Sequence, residues 1–304
     1  MATETQSLEN TNPPVYKTGR VDLMVGKTPL RRLKSMGQGR CPIFIKMENL
    51  NPSGSIRDRY IAEIVLRAMD AQSIQVGDEI CLAGLNDSAV SASYVASKLG
   101  LRCTVFTPES SSKRLLETFE TFGGKIVWTS AAAGLQGAIK EAAKWARDGI
   151  DRLYVDGYRR QAVKDSYRYL AMEIIESLED TPLGGFTTSV TTGATFREVS
   201  RALRQMQANL EVRGAKLEEN EFATAEENPY ISSVTLAQLW EIRDEISEKE
   251  GILLGPKGAA CVQIALDLEA ELAPGRSIVA LNPDSGQRYI GWEDRELFRA
   301  NTFA

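Results

Sequence analysis

The chain has 304 residues, enough for two modest α/β domains or one large one. Its 43% hydrophobic and 25% charged residues suit a globular protein, and a net charge of −5 without a long basic run argues against a nucleic-acid partner. It has no histidine, which excludes Ser-His-Asp, Cys-His and His-ligated metal chemistry, and no apolar run long enough to span a membrane.

Met1 to Tyr16 is polar, lacks an apolar signal-peptide core and is expected to be a short disordered lead-in. Pro42 to Met47 reads as a strand and Arg57 to Met69 as a helix. Glu79 to Ala83 and Cys103 to Thr107 read as strands, with a helix from Ser88 to Leu99 between them. Lys113 to Phe122 is a helix stopped by Gly123-Gly124. A strand at Ile126 to Thr129 and a helix at Leu135 to Asp148 complete the first set. In the second set, Leu153 to Asp156, Phe186 to Thr191 and Ser277 to Leu281 are strand-like, and helices are expected at Arg160 to Leu178, Arg197 to Leu210, Leu236 to Lys249 and Gly258 to Leu272. This alternation argues for parallel sheets covered by helices. Residues 214–230 form an acidic, turn-rich insert expected to be a solvated loop.

The four cysteines, Cys41, Cys81, Cys103 and Cys261, are widely spaced in apolar stretches. No zinc site is expected from them, and buried reduced thiols in a cytoplasmic protein are. Three stretches could carry chemistry. Ser53-Gly54-Ser55 precedes the helix that opens with Arg57, where hydroxyls and free amides either meet an anion or simply cap the helix. Thr191-Thr192-Gly193-Ala194-Thr195 lies between a strand and a helix, as either a phosphate or carboxylate cup or a capped turn. Pro283 to Tyr289 follows the last strand, at the end where parallel sheets place ligands.

Taken together these pieces resemble a known family. Gly26-Lys27-Thr28-Pro29-Leu30, Lys46-Met47-Glu48, Asn51-Pro52-Ser53-Gly54-Ser55-Ile56-Arg57-Asp58-Arg59, Thr107-Pro108-Glu109, Gly123 to Val127, Glu250 to Leu253 and Pro283 to Tyr289 run in the order of the cysteine synthase (O-acetylserine sulfhydrylase) motifs. The resemblance covers residues 26 to 290. It implies the tryptophan synthase β-like fold of type II pyridoxal-phosphate enzymes: two three-layer αβα domains with mostly parallel sheets. The expected division is a smaller, mobile domain at 40–150 and a larger one from 17–39 plus 151–304.

The sequence departs from that family around one pocket. Arg57 stands where the family has the lysine that holds the cofactor as an imine and shuttles protons, and a guanidinium does not give up its proton. Asn86, Asp87 and Ser88 replace part of the loop that grips the substrate carboxylate, and the carboxylate of Asp87 would repel an anionic guest. In the phosphate cup Thr192, Gly193 and Thr195 match while flanking glycines are lost, Thr191 included among the replacements. Ser285 matches the residue that meets the pyridine nitrogen, and Lys257-Gly258 replaces paired serines. The acidic insert stands where the family has a further strand and a glycine-rich loop.

The resemblance and these departures together imply a cysteine synthase-like protein without the lysine chemistry, acting as a regulator, partner subunit or anion binder. An active enzyme with altered chemistry is the alternative. Ser53, Ser55, Arg57, Asn86, Asp87, Ser88, Thr191, Thr192, Gly193, Thr195, Lys257 and Ser285 are the expected ligand residues, with no catalytic residue and no metal. Lys257 is either a cation paired across the pocket or a replacement nucleophile. No covalent cofactor is expected, non-covalent pyridoxal phosphate stays open, and the expected partners are a second copy in a homodimer and a small anion or a protein.

Overall fold

The computed structural model describes residues 17–18, 21–37, 39–111, 113, 115–157, 161–178, 181–217 and 228–290. The lead-in expected at 1–16 lies outside them. An antiparallel pair, β1 (Lys17–Thr18) and β2 (Val21–Asp22), precedes β3 (Leu30–Arg32) and β4 (Ile43–Met47). Then come α1 (Arg57–Asp70), β5 (Glu79–Ala83), α2 (Asp87–Leu99), β6 (Arg102–Pro108), α3 (Leu116–Thr121), β7 (Lys125–Thr129), α4 (Gly134–Arg147) and β8 (Arg152–Tyr154). The second half has α5 (Gln161–Ser177), β9 (Leu183–Ser189), α6 (Ala194–Met206), β10 (Glu211–Leu217), β11 (Ile231–Val234), α7 (Leu236–Glu250), α8 (Pro256–Glu271) and β12 (Ser277–Asn282).

The strands form two αβα units. The smaller sheet runs β7-β6-β5-β8, all parallel, with α2 and α4 packed on β5 and β6. The larger runs β11-β10-β9-β12-β4-β3, parallel except for β3, with α8 across β9 and β12. All six residues of β12 are buried, as a central parallel strand requires. Residues 43–47 fall within the stretch expected to form the smaller domain, yet β4 pairs with β12 in the larger sheet.

One expectation fails here. The acidic insert does not replace the further strand. Residues 211–217 are β10, paired in parallel with both β9 and β11. Its charged letters hid two core positions, Val212 and Ala215, which point to opposite faces of the sheet and enter separate hydrophobic clusters. Residues 218–227 of the insert lie outside the described residues.

Four buried charged groups tie α1, β4, α5 and the turn after β4 together. Arg59 donates to Glu48 at 2.5 Å and to Glu173 at 2.7 Å, and Lys46 Nζ meets Glu173 at 2.8 Å. Lys46, Glu48 and Arg59 are wholly buried, so two cations and two carboxylates balance without solvent. All four cysteines are buried and free.

Candidate functional site

The loops that follow β4, β5, β9 and β12 converge at the C-terminal ends of their strands, where a parallel sheet presents ligands. After β4, the turn at 53–55 is pinned to α1. The backbone N–H of Ser53 donates to Asp58 at 2.8 Å, its hydroxyl donates to the same carboxylate, and Ser55 bridges to Asp284. Gly54 has φ +82°, a left-handed conformation open to glycine, and it leaves room for the Arg288 guanidinium, which donates to the Ser53 carbonyl. Arg57 begins α1, its N–H donating to the Ser55 hydroxyl at 3.2 Å and its guanidinium 5.8 Å from the Tyr60 ring.

After β5, Asn86 caps α2 by accepting the N–H of Ser88 at 2.9 Å, and the Ser88 hydroxyl lies 2.5 Å from the Tyr60 hydroxyl. These two residues are thus engaged locally. Asp87, the first residue of α2, reaches across to the loop after β12 and to the first turn of α8. Its carboxylate accepts from Arg288, and Lys257 Nζ lies 3.5 Å away. The same ammonium donates to Asp284 at 3.1 Å, and the Asp284 carboxylate also accepts from Tyr289 at 2.9 Å. Burial by itself pulls the Lys257 amine down, but Asp284, Tyr289 and Asp87 outweigh it and hold the ammonium well above its ordinary range, against a smaller push from Arg57.

The space these groups enclose is about 20 Å³, water-sized rather than ligand-sized. Arg57, Asp87, Thr191, Thr195, Lys257 and Asp284 line it, with Thr188 and Ser189. Thr188 Oγ1 and Asp284 Oδ1 are buried there without a hydrogen-bond partner among the described residues.

The expected cup at 191–195 is divided. Thr191 and Thr195 face this closed cleft, the latter 3.0 Å from the Tyr167 hydroxyl. Thr192 and Gly193 instead line a separate open groove on the outer side of α6. Neither Ser53 nor Ser285 lines the cleft; the Ser285 hydroxyl accepts from the N–H of Gln287 at 3.3 Å, closing a turn. Asp284 and Arg288 are site residues that the sequence does not single out, although they flank Ser285 in a stretch that it does. The motif places weight on the serine hydroxyl, and no local signal marks the charges beside it.

A family model described as pyridoxal-phosphate dependent enzyme matches residues 21–230. The chain is 24% identical over 294 residues to a probable cysteine synthase of Bacillus subtilis, covering 88% of this chain and 94% of the relative. It is 27% identical over 291 residues to an O-acetylserine dependent cystathionine beta-synthase of the same organism, with the same coverage. The crystal structure of an O-ureido-L-serine synthase superposes with a TM-score of 0.81 at 22% identity, covering 90% of this chain and 93% of that one. An O-acetylserine dependent cystathionine beta-synthase from Helicobacter pylori superposes with a TM-score of 0.77 at 22% identity, covering 88% and 95%.

These matches correct the expectation of no covalent cofactor: the matched family is one of pyridoxal-phosphate dependent enzymes. The residues present fit the phosphate end of that group: two threonine hydroxyls and the start of α6 converge, and Thr188 Oγ1 lacks a partner among the described residues. Lys257 is the one amine among the lining residues. The cleft as it stands, at about 20 Å³, does not admit the ring.

Proposed function

The chain belongs to the pyridoxal-phosphate dependent enzyme family, and we propose that within it this is a cysteine synthase-like protein that does not perform β-replacement turnover. It serves instead as a regulatory or partner subunit that takes a small anionic ligand. The observation that carries this reading is the Lys257 ammonium, held by Asp284 and Asp87 beside Arg57. Turnover by cysteine synthases needs a group that removes a proton from carbon. Arg57 does not deprotonate, and an ammonium held above its ordinary range is a poor proton acceptor.

Pyridoxal phosphate, when bound, supplies an electron sink for charge developing beside an amino group. Thr191 and Thr195 would hold its phosphate, and Lys257 is the amine at hand. Asp87 works against the carboxylate of an amino-acid substrate, because it already occupies the Lys257 and Arg288 cations that such a carboxylate would need. The reading takes a cytoplasmic homodimer as the working form, which light scattering on the purified chain checks.

The decisive assay uses protein saturated with pyridoxal phosphate and supplied with O-acetylserine and sulfide. No cysteine above the blank is expected. Steady formation of cysteine over many turnovers overturns the reading.

A further inference from the structure

A second open space, far larger than the closed cleft, lies on the other side of the 191–195 loop. It is a groove of about 710 Å³ along α6, within the size range of small-molecule sites. Val190, Phe196 and Ile231 give it an apolar floor. Arg197, Arg201 and Arg204 line it at spacings that put all three on one face of α6. Thr192 and Gly193 close it at the helix N-terminus, where unpaired N–H groups and the helix dipole favour an anion.

The charges do not cancel among themselves. Arg197 and Arg201 share a single carboxylate, Glu198, at 2.8 and 3.0 Å. Glu198 is buried beneath them, with both arginine side chains about half exposed. Arg204 lies 5.8 Å from the Tyr230 ring. Among the described residues, three guanidinium groups thus face one carboxylate, beside a floor that suits a flat apolar body.

From this geometry we infer that the groove binds a small organic phosphate, its phosphate on Arg201 and Arg204 and its ring against Phe196 and Ile231. Guanidinium groups recognise phosphate oxygens in pairs. The site is distinct from the cleft: the 191–195 loop turns Thr191 and Thr195 towards one and Thr192 and Gly193 towards the other. Occupancy of the groove therefore bears on the loop that forms one wall of the cleft.

The test is calorimetric titration of the full chain with adenosine 5′-monophosphate, and separately with inorganic phosphate. One saturable site for the nucleotide is expected. Inorganic phosphate binds more weakly, because it leaves the apolar floor unused. Reversing two exposed charges, Arg201→Glu with Arg204→Glu, is expected to weaken nucleotide binding by about tenfold or more, while circular dichroism and the melting midpoint verify the fold. Hydrogen exchange should show protection across residues 190–206 on nucleotide binding. Absence of saturable binding overturns the inference. So does unchanged affinity in a folded double variant, or protection confined to residues 257–288, which would place the nucleotide in the cleft.

Discussion

Lys257 Nζ lies 3.5 Å from the Asp87 carboxylate, although the two residues are 170 positions apart in the chain. Each sits in the first turn of its helix, α8 and α2. The carboxylate is favoured there by the helix dipole and the ammonium is not, so Lys257 depends on its acidic neighbours. With Arg288, this contact joins the element after the smaller sheet's β5 to the two segments flanking β12 of the larger sheet.

Removing the amine takes the cation from Asp284, which among the described residues keeps only the Tyr289 hydroxyl, and leaves Asp87 to Arg288. Lys257→Met is expected to lower the unfolding free energy by about 3–5 kcal/mol, the usual cost of breaking a buried pair from one side. Asp87→Asn leaves Lys257 its contact with Asp284 and should cost about 1–3 kcal/mol. Urea unfolding measures both; a methionine variant as stable as the parent shows that the cluster contributes nothing.

Restoring the family lysine is not expected to restore turnover. An Arg57→Lys chain loaded with pyridoxal phosphate still has Asp87 across the cleft and about 20 Å³ of space. Cysteine formation from O-acetylserine and sulfide should stay at background. Full turnover from this single change would show that residue 57 alone had been the obstacle.

The buried network gives an acid-side signature. Burial alone would raise the Glu173 carboxyl, but hydrogen bonds and charge from Arg59, then Lys46, outweigh it and bring it down to about 2 from 4.5. The stabilisation is fully present above 4.5 and is lost as pH falls towards 2. It amounts to about 3 kcal/mol over that window. Glu173→Gln should lose about 3–5 kcal/mol at neutral pH and show a flatter acid limb in chemical unfolding. A parallel acid limb would rule out Glu173 as its source.

Asp58 acts in the opposite sense. Burial pushes its carboxyl up from 3.8 to about 6, against hydrogen bonds from Ser53 and Ser91 and the charge of Arg288. The folded protein therefore holds this proton longer than the unfolded chain. Stability falls as pH rises from about 4 to 6 and then levels, by up to about 3 kcal/mol. A carboxamide cannot ionise, so the stability of the Asp58→Asn variant relative to the parent should improve across that window. A constant difference between pH 4 and 7 would contradict this.

Much of the architecture was legible without coordinates. The helices from α1 to α8 carry their apolar spacing and stop signals locally, so most expected bounds fall within a few residues of those observed, as at Leu236–Glu250. The strand β10 was not legible, because its Glu, Arg and Lys residues look like loop, and only pairing with β9 and β11 makes them a strand. Arg57 and Lys257 were found from motif order. Arg288 and Asp284 were not picked out, because a charge in a turn is unremarkable until another segment is folded against it.

By itself the amino-acid order determined the family scaffold, the absence of histidine chemistry and the presence of a guanidinium at position 57, since each is written in local letters and their order. Only the tertiary structure decided that Lys257 is claimed by Asp284 and Asp87, and that the 191–195 loop turns its threonines towards two different spaces. Ion pairing depends on distance in space, and residues far apart in the chain acquire that distance only when the sheets bring their loops together.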